Sequence, residues 1–187
     1  MRTFAAILTL LLTTAAGADP VAYRLNTAES RVGFTWFFGE NPIRGRMPVE
    51  SADIYLDFAS VSRSSVDVSL DVASAEAGFP FASDALKAPN VLWAERFPLI
   101  EFESTEVSQR GTGATLRGSL TIRGVTRPIT LNATVFRRQG AALGERENLA
   151  VRMTGALSRA AFGADGWPNE VGDRVELDIL AVIDRAE

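Results

Sequence analysis

The chain has 187 residues, 23 acidic side chains against 19 basic ones, and neither histidine nor cysteine. Without imidazole or thiol there is no Ser-His-Asp triad, no His general base, no thiolate or imidazole metal site, no haem attachment and no disulfide. The acidic balance also argues against nucleic acid: Lys87 is the single lysine and the arginines are dispersed, whereas phosphate binding depends on clustered cations.

The first segment carries Arg2, an apolar stretch Phe4–Leu12, and the small residues Ala16, Gly17 and Ala18. That order is the signature of a secretory leader. Residues 1–18 are expected to be the signal peptide and residues 19–187 one exported domain. The apolar core is about half the roughly 20 residues that a membrane span needs, and later apolar runs are broken by charge.

From there on, apolar residues alternate with polar ones, which places two faces on half-buried strands. In Arg31–Phe38 the residues Val32, Phe34, Trp36 and Phe38 share one face. Asp53–Phe58 sets Ile54, Leu56 and Phe58 against Asp53, Tyr55 and Asp57, and Val66–Val72 sets Val66, Val68, Leu70 and Val72 against Asp67, Ser69 and Asp71. Ile100 and Phe102 oppose Glu101 and Glu103, and Leu116, Leu120 and Ile122 oppose Arg117, Ser119 and Thr121. Val125–Val135, Leu149–Leu157 and Val175–Ile183 complete about eight strands. Polar and glycine-bearing segments such as Arg110–Gly113 and Gly140–Glu147 separate them, so antiparallel hairpins follow. The expected fold is all-β, a closed barrel or a two-sheet sandwich.

One stretch departs from the alternation. Phe79–Phe97 (FPFASDALKAPNVLWAERF) predicts a helical turn capped by Ser83 or Asp84 and ended by Pro89, with a second turn capped by Asn90. It would cross between strands, either as a lid over a barrel end or as a plain surface connection.

The run Phe97–Val107 (FPLIEFESTEV), followed by Gly118–Leu131 (GSLTIRGVTRPITL), resembles the YceI-like family of periplasmic lipid-binding proteins. Ser30-x-Val32-x-Phe34, Asp84-x-Leu86, Ser158-Arg159-x-x-Phe162-Gly163 and Gly172-Asp173-x-Val175 extend the resemblance over residues 22–184. It implies an extended, lipocalin-like, eight-stranded antiparallel β-barrel with a short helical crossover. It also implies a periplasmic address and a non-enzymatic role: sequestering a long-chain amphiphile such as a polyisoprenoid, an isoprenoid quinone or a fatty-acid derivative. No cofactor is implied beyond such a bound lipid. A transient membrane-protein partner is compatible with that role, and monomer and dimer both stay open. Where the family carries His, this chain has Trp36-Phe37-Phe38 and Asp84-Ala85-Leu86; the paired Phe becomes Leu92-Trp93, and the Asp before Phe-Gly becomes Ala161. These replacements make the entrance more apolar and favour a neutral or weakly polar ligand over a diphosphate.

The candidate ligand-binding residues are Phe34, Trp36, Phe38, Phe58 and Phe102, which share the inward phase, together with Trp93, Leu86 and Phe162. Trp36 and Trp93 stand out because an indole joins a large apolar surface to a donor that needs a partner when buried. Packing in a filled core is the competing role for each, since alternation does not distinguish a filled barrel from a hollow one.

Gly118, Gly124 and Gly155 are expected where the wall bends, and Arg123–Pro128 forms a tight connection. Arg159 pairs internally with Asp165 or Asp173, or else holds a ligand head group. Glu101 and Glu103 lie about 7 Å apart on one face, a glycosidase-like separation, but their phase points outward. Asp165, Asn169, Glu170 and Asp173 read as a polar turn rather than a cation site. No catalytic or metal residue is assigned. Two other functions stay open: a filled-core interaction module serving a membrane redox partner, and a hydrolase using carboxylates, Tyr55 or Ser hydroxyls. Interior volume discriminates among the three.

Overall fold

A computed structural model describes residues 19–137 and 144–186. The expected leader, residues 1–18, and part of the expected Gly140–Glu147 turn lie outside the described residues. The strands are β1 (Val21–Leu25), β2 (Arg31–Phe38), β3 (Asn41–Met47), β4 (Val49–Leu56), β5 (Ser65–Asp71), β6 (Leu99–Arg110), β7 (Gly113–Ile122), β8 (Val125–Arg137), β9 (Asn148–Ser158) and β10 (Arg174–Arg185); one helix, α1 (Pro80–Lys87), lies between β5 and β6.

Every pairing is antiparallel, and the ring β1-β4-β5-β6-β7-β8-β9-β10 closes where β1 meets β10. That closure is the eight-stranded barrel that the family resemblance implies, and it decides between the barrel and the sandwich that alternation leaves open. The two extra segments come from bending. One edge of β10 serves two strands in series, β2 along Glu176–Leu180 and β1 along Ile183–Arg185. Between them the chain bulges over residues 26–30, pinned on Val182, whose carbonyl accepts the Asn26 N–H and whose N–H donates to the Ser30 hydroxyl. Pro48 likewise divides β3 from β4. β3 does alternate, with Ile43, Gly45 and Met47 on one side and exposed Arg44 and Arg46 on the other, but Gly45 interrupts the apolar signal.

At the end nearest α1 the outer edge of β3 is joined by the chain leaving β5. Arg46 and Glu76 exchange backbone hydrogen bonds of 2.8 and 2.9 Å. Their side chains also form a bidentate ion pair at 2.7 and 2.9 Å, but both are well exposed, so the backbone contact carries the seam.

The crossover departs from its expected caps at two points. Helix α1 begins at Pro80, whose missing N–H costs nothing in a first turn, and Phe79 occupies the cap position. Ser83 is therefore inside the helix, where its hydroxyl accepts the Ala77 N–H and donates to the Phe79 carbonyl, and Asp84 is not a cap. Pro89 does end the helix, holding Ala88 extended. Asn90 starts no second helix; its carbonyl accepts the Gly166 N–H at 2.9 Å and ties the crossover to the loop before β10.

The β7–β8 connection is tighter than Arg123–Pro128. Arg123 and Gly124 alone make it, at φ of 53° and 73°, the two-residue geometry that suits twisted hairpins. Gly124 is thus a turn residue, not a point of wall curvature. Pro128 sits within β8 opposite Ser119, in a stretch that β9 joins only from Asn132 onward, so no ladder bond is lost.

Apolar side chains form two clusters. The smaller, built on Tyr23, Ile54, Leu149 and Ile183, fills one end of the barrel. The larger follows the walls, with Met47, Leu116, Leu120, Ile129 and Leu131 buried in it. Glycines keep the rings of this wall flat. Phe34 faces Gly45 across β2 and β3, and a Cβ on Gly45 would overlap the Phe34 ring; one on Gly118 would stand 2.5 Å from the Phe102 ring. Each aromatic ring therefore lies over a glycine instead of projecting across the interior. Gly45→Ala is expected to lower stability by about 1–3 kcal/mol through this overlap, since the Glu76 carbonyl also blocks the new methyl. Gly172→Ala, whose Cβ would meet only ordinary contacts, serves as the control in urea unfolding. Equal losses in the two variants would contradict the ring-on-glycine account.

Candidate functional site

Between the filled end and α1 the barrel is hollow. The cavity has a volume of about 440 Å³, inside the roughly 300–1,000 Å³ range of ligand pockets. Along β2, Val32, Phe34, Trp36 and Phe38 all face it, and at about 3.3 Å per residue they span about 20 Å along the strand. Its floor is shared with the filled end through Leu25, Ala52, Ile54, Val66 and Ala181. Its mouth is framed by Phe38, Phe79, Phe81 and Trp167, which are 52%, 45%, 77% and 42% exposed.

Six of the eight candidate residues meet in this wall: Phe34, Trp36 and Phe38 from β2, Phe102 from β6, Leu86 from α1, and Phe162 from the 3-10 turn Ala160–Phe162. Phe58 and Trp93 do not line it. β4 ends at Leu56, and the Asp57 carboxylate, buried rather than outward as the alternation predicts, accepts the Ala59 and Ser60 N–H groups. The period-two phase stops there. Phe58 instead packs edge-on against Tyr23 in the filled end, with the Arg146 guanidinium 4.4 Å above its ring. Trp93 stands in a turn at φ 51°, which rotates it out onto Phe97 and Arg96, while its neighbour Leu92 takes the place in the wall.

Several wall residues were not singled out in the sequence. Val68, Met153, Leu177 and Ile179 were legible as inward positions of alternating strands, but their aliphatic side chains look like any core. Phe79 and Phe81 lie at the start of α1 and Trp167 in the loop before β10, where no period-two alternation marks them.

The wall is almost entirely carbon. Its polar groups are few, and most are engaged. Ser30 is held by the Val182 backbone. Arg159 is 8% exposed and pairs with neither Asp165 nor Asp173; its guanidinium donates to the carbonyls of Ala164, Gly166, Val171 and Gly172 at 2.5 to 3.0 Å. Burial lowers its pKa from the ordinary guanidinium value, against the opposing charges of Asp173 and Asp165, and an arginine so placed remains a cation. Asp173 instead accepts the Ala160 N–H and the Ser158 hydroxyl, bonds that hold its carboxyl below the usual range. Arg123 donates to the carbonyls of Val91 and Gly163, joining the β7–β8 turn to both mouth segments. The exception is Trp36: its indole N–H is buried and has no acceptor among the described residues.

Among the described residues, the carboxylate pair and the tyrosine considered for hydrolysis lie away from this cavity. Glu101 and Glu103 are exposed on the outer wall, as their phase predicts, and Tyr55 is 45% exposed there. Among the described residues no group of three acidic side chains is placed to hold a metal.

The YceI-like domain model matches residues 23–183. The chain belongs to the YceI-like family. A UPF0312 protein of Vibrio parahaemolyticus is 27% identical over 134 residues, covering 70% of this chain and 71% of that one. A UPF0312 protein of Serratia proteamaculans is 30% identical over 103 residues, covering 54% of this chain and 50% of its own length, so the match spans half of that relative. Among solved structures, BcnA of Burkholderia cenocepacia superposes with a TM-score of 0.75 at 22% identity, covering 85% of this chain and 99% of that one. A polyisoprenoid binding domain from Saccharophagus degradans gives 0.64 at 12% identity, with 89% and 99% covered. At these identities the YceI-like barrel itself is what is shared.

Proposed function

We propose that this YceI-like protein is a non-enzymatic carrier that sequesters a neutral long-chain amphiphile, of the polyisoprenoid class, in the periplasm. The observation that carries the reading is the lumen: an open, carbon-lined cavity of about 440 Å³ with a filled floor and an aromatic mouth. An apolar chain entering it gains about 0.8 kcal/mol per buried methylene. A slender isoprenoid suits such a lumen, and the Saccharophagus relative named for polyisoprenoid binding supports that class. Arg159, the one buried cation in the wall, is committed to backbone carbonyls, which disfavours a diphosphate head group. The expected secretory leader supports the periplasmic address. The lumen also speaks against a filled interaction module.

The test is solvent extraction of protein purified from its own envelope fraction, followed by mass spectrometry, with isoprenoid uptake measured in parallel. Near-stoichiometric isoprenoid is the expected result. Repeated absence of lipid, combined with failure to take up isoprenoids, would overturn the assignment.

A further inference from the structure

The mouth has an outer surface as well as an inner one, and the same side chains make both. Phe38, Phe79, Phe81 and Trp167 line the lumen and are also among the most exposed large apolar residues of the described chain. They come from three separate segments: the end of β2, the start of α1 and the loop before β10. Backbone contacts fix two of these together, since Phe38 bridges Val171, the Gly39 N–H donates to the Glu170 carbonyl and the Gly172 N–H to the Phe37 carbonyl. Phe79 and Phe81 flank Pro80 at the helix start, and Phe81 is the most exposed of the four at 77%. An apolar path therefore runs unbroken from the protein surface down into the cavity.

We propose that this rim docks transiently on a lipid bilayer, so that cargo passes between membrane and lumen without crossing water. The inference rests on the carrier reading above. A bilayer is the occupant that fits an open path: it holds isoprenoid lipids, and aromatic side chains settle at its interface. A protein or second copy seated on the rim would close the path instead. Charge is mixed around the mouth, with Glu40 and Glu170 exposed as well as Arg44, so attachment relies on apolar insertion and not on anionic headgroups.

The test is sedimentation of the protein with large vesicles of phosphatidylcholine, with and without added phosphatidylglycerol. Wild type binds both, with little change between about 0.1 and about 0.5 M salt, and its tryptophan emission is quenched by acyl-chain-brominated lipid. Phe81→Ser reduces partitioning by about tenfold with an unchanged melting temperature, and Trp167→Phe removes the quenching while binding persists. Docking is overturned if wild type stays in the supernatant, if Phe81→Ser sediments like wild type, or if the rim proves to be a concentration-dependent dimer contact that Phe81→Ser breaks. Isoprenoid uptake by wild type from detergent is the separate arm: uptake without vesicle binding sinks the docking inference and leaves the carrier standing, whereas vesicle binding without uptake sinks the carrier.

Discussion

Arg159→Met is expected to lower stability by roughly 3 kcal/mol or more and to abolish ligand uptake. The residue is a buried cation whose planar fork donates to four carbonyls between Ala164 and Gly172. Methionine matches its length but leaves those oxygens without a donor, and each buried orphan costs about 1–3 kcal/mol. The loop then opens to water to recover hydrogen bonds, taking Phe162 and Trp167 out of the wall. Arg159→Lys keeps a charge but lacks the fork, so most of the loss should persist. Urea unfolding and isoprenoid uptake read the two effects. A Met variant as stable as wild type would mean that the carbonyls are satisfied without the guanidinium.

Ile179→Arg is expected to reduce isoprenoid affinity by at least about a hundredfold, because an unpaired charge facing an apolar guest costs several kcal/mol. Ile179 lies on β10 opposite Val32, the deepest of the four inward β2 positions. Its partner Val32 is about 20 Å from Phe38 along β2, too far for an arginine to reach the mouth and rehydrate its charge there. Glu101→Gln, on the exposed outer wall, changes charge by the same unit and should leave affinity unaltered. The comparison is made by titrating a fluorescent isoprenoid into each variant. Equal affinities in the two variants would place the guest somewhere other than this lumen.

Much of this architecture was legible because the two faces of a half-buried strand must differ. The inward set on β2 and the outward positions of Glu101 and Glu103 follow from period two, and the antiparallel order from the short polar and glycine-bearing connections. The failures have local causes. The phase that turns Phe58 toward the lumen runs past Leu56, where the Asp57 turn ends the strand, and the ring lies on Tyr23 in the filled end instead. Trp93 is singled out by its indole and by the paired-Phe position it occupies, and neither reports the positive φ of its turn, which decides its direction. β3 was hidden by Gly45, although that glycine is what lets the Phe34 ring lie flat. Arg159 could not be matched to its partners because backbone carbonyls leave no mark in a sequence. Most important, hollowness depends on where rings lie against glycines across strands, and pairing of that kind is invisible to periodicity.

The plugged lower end has a bearing on exchange. Tyr23, Ile54, Leu149 and Ile183 interlock beneath the chamber whether or not anything lies above them, and β1 closes the ring at that level. For the carrier we propose, discharge then needs no melting of the scaffold. With one doorway among the described residues, such a carrier takes a new passenger only after the previous one has left.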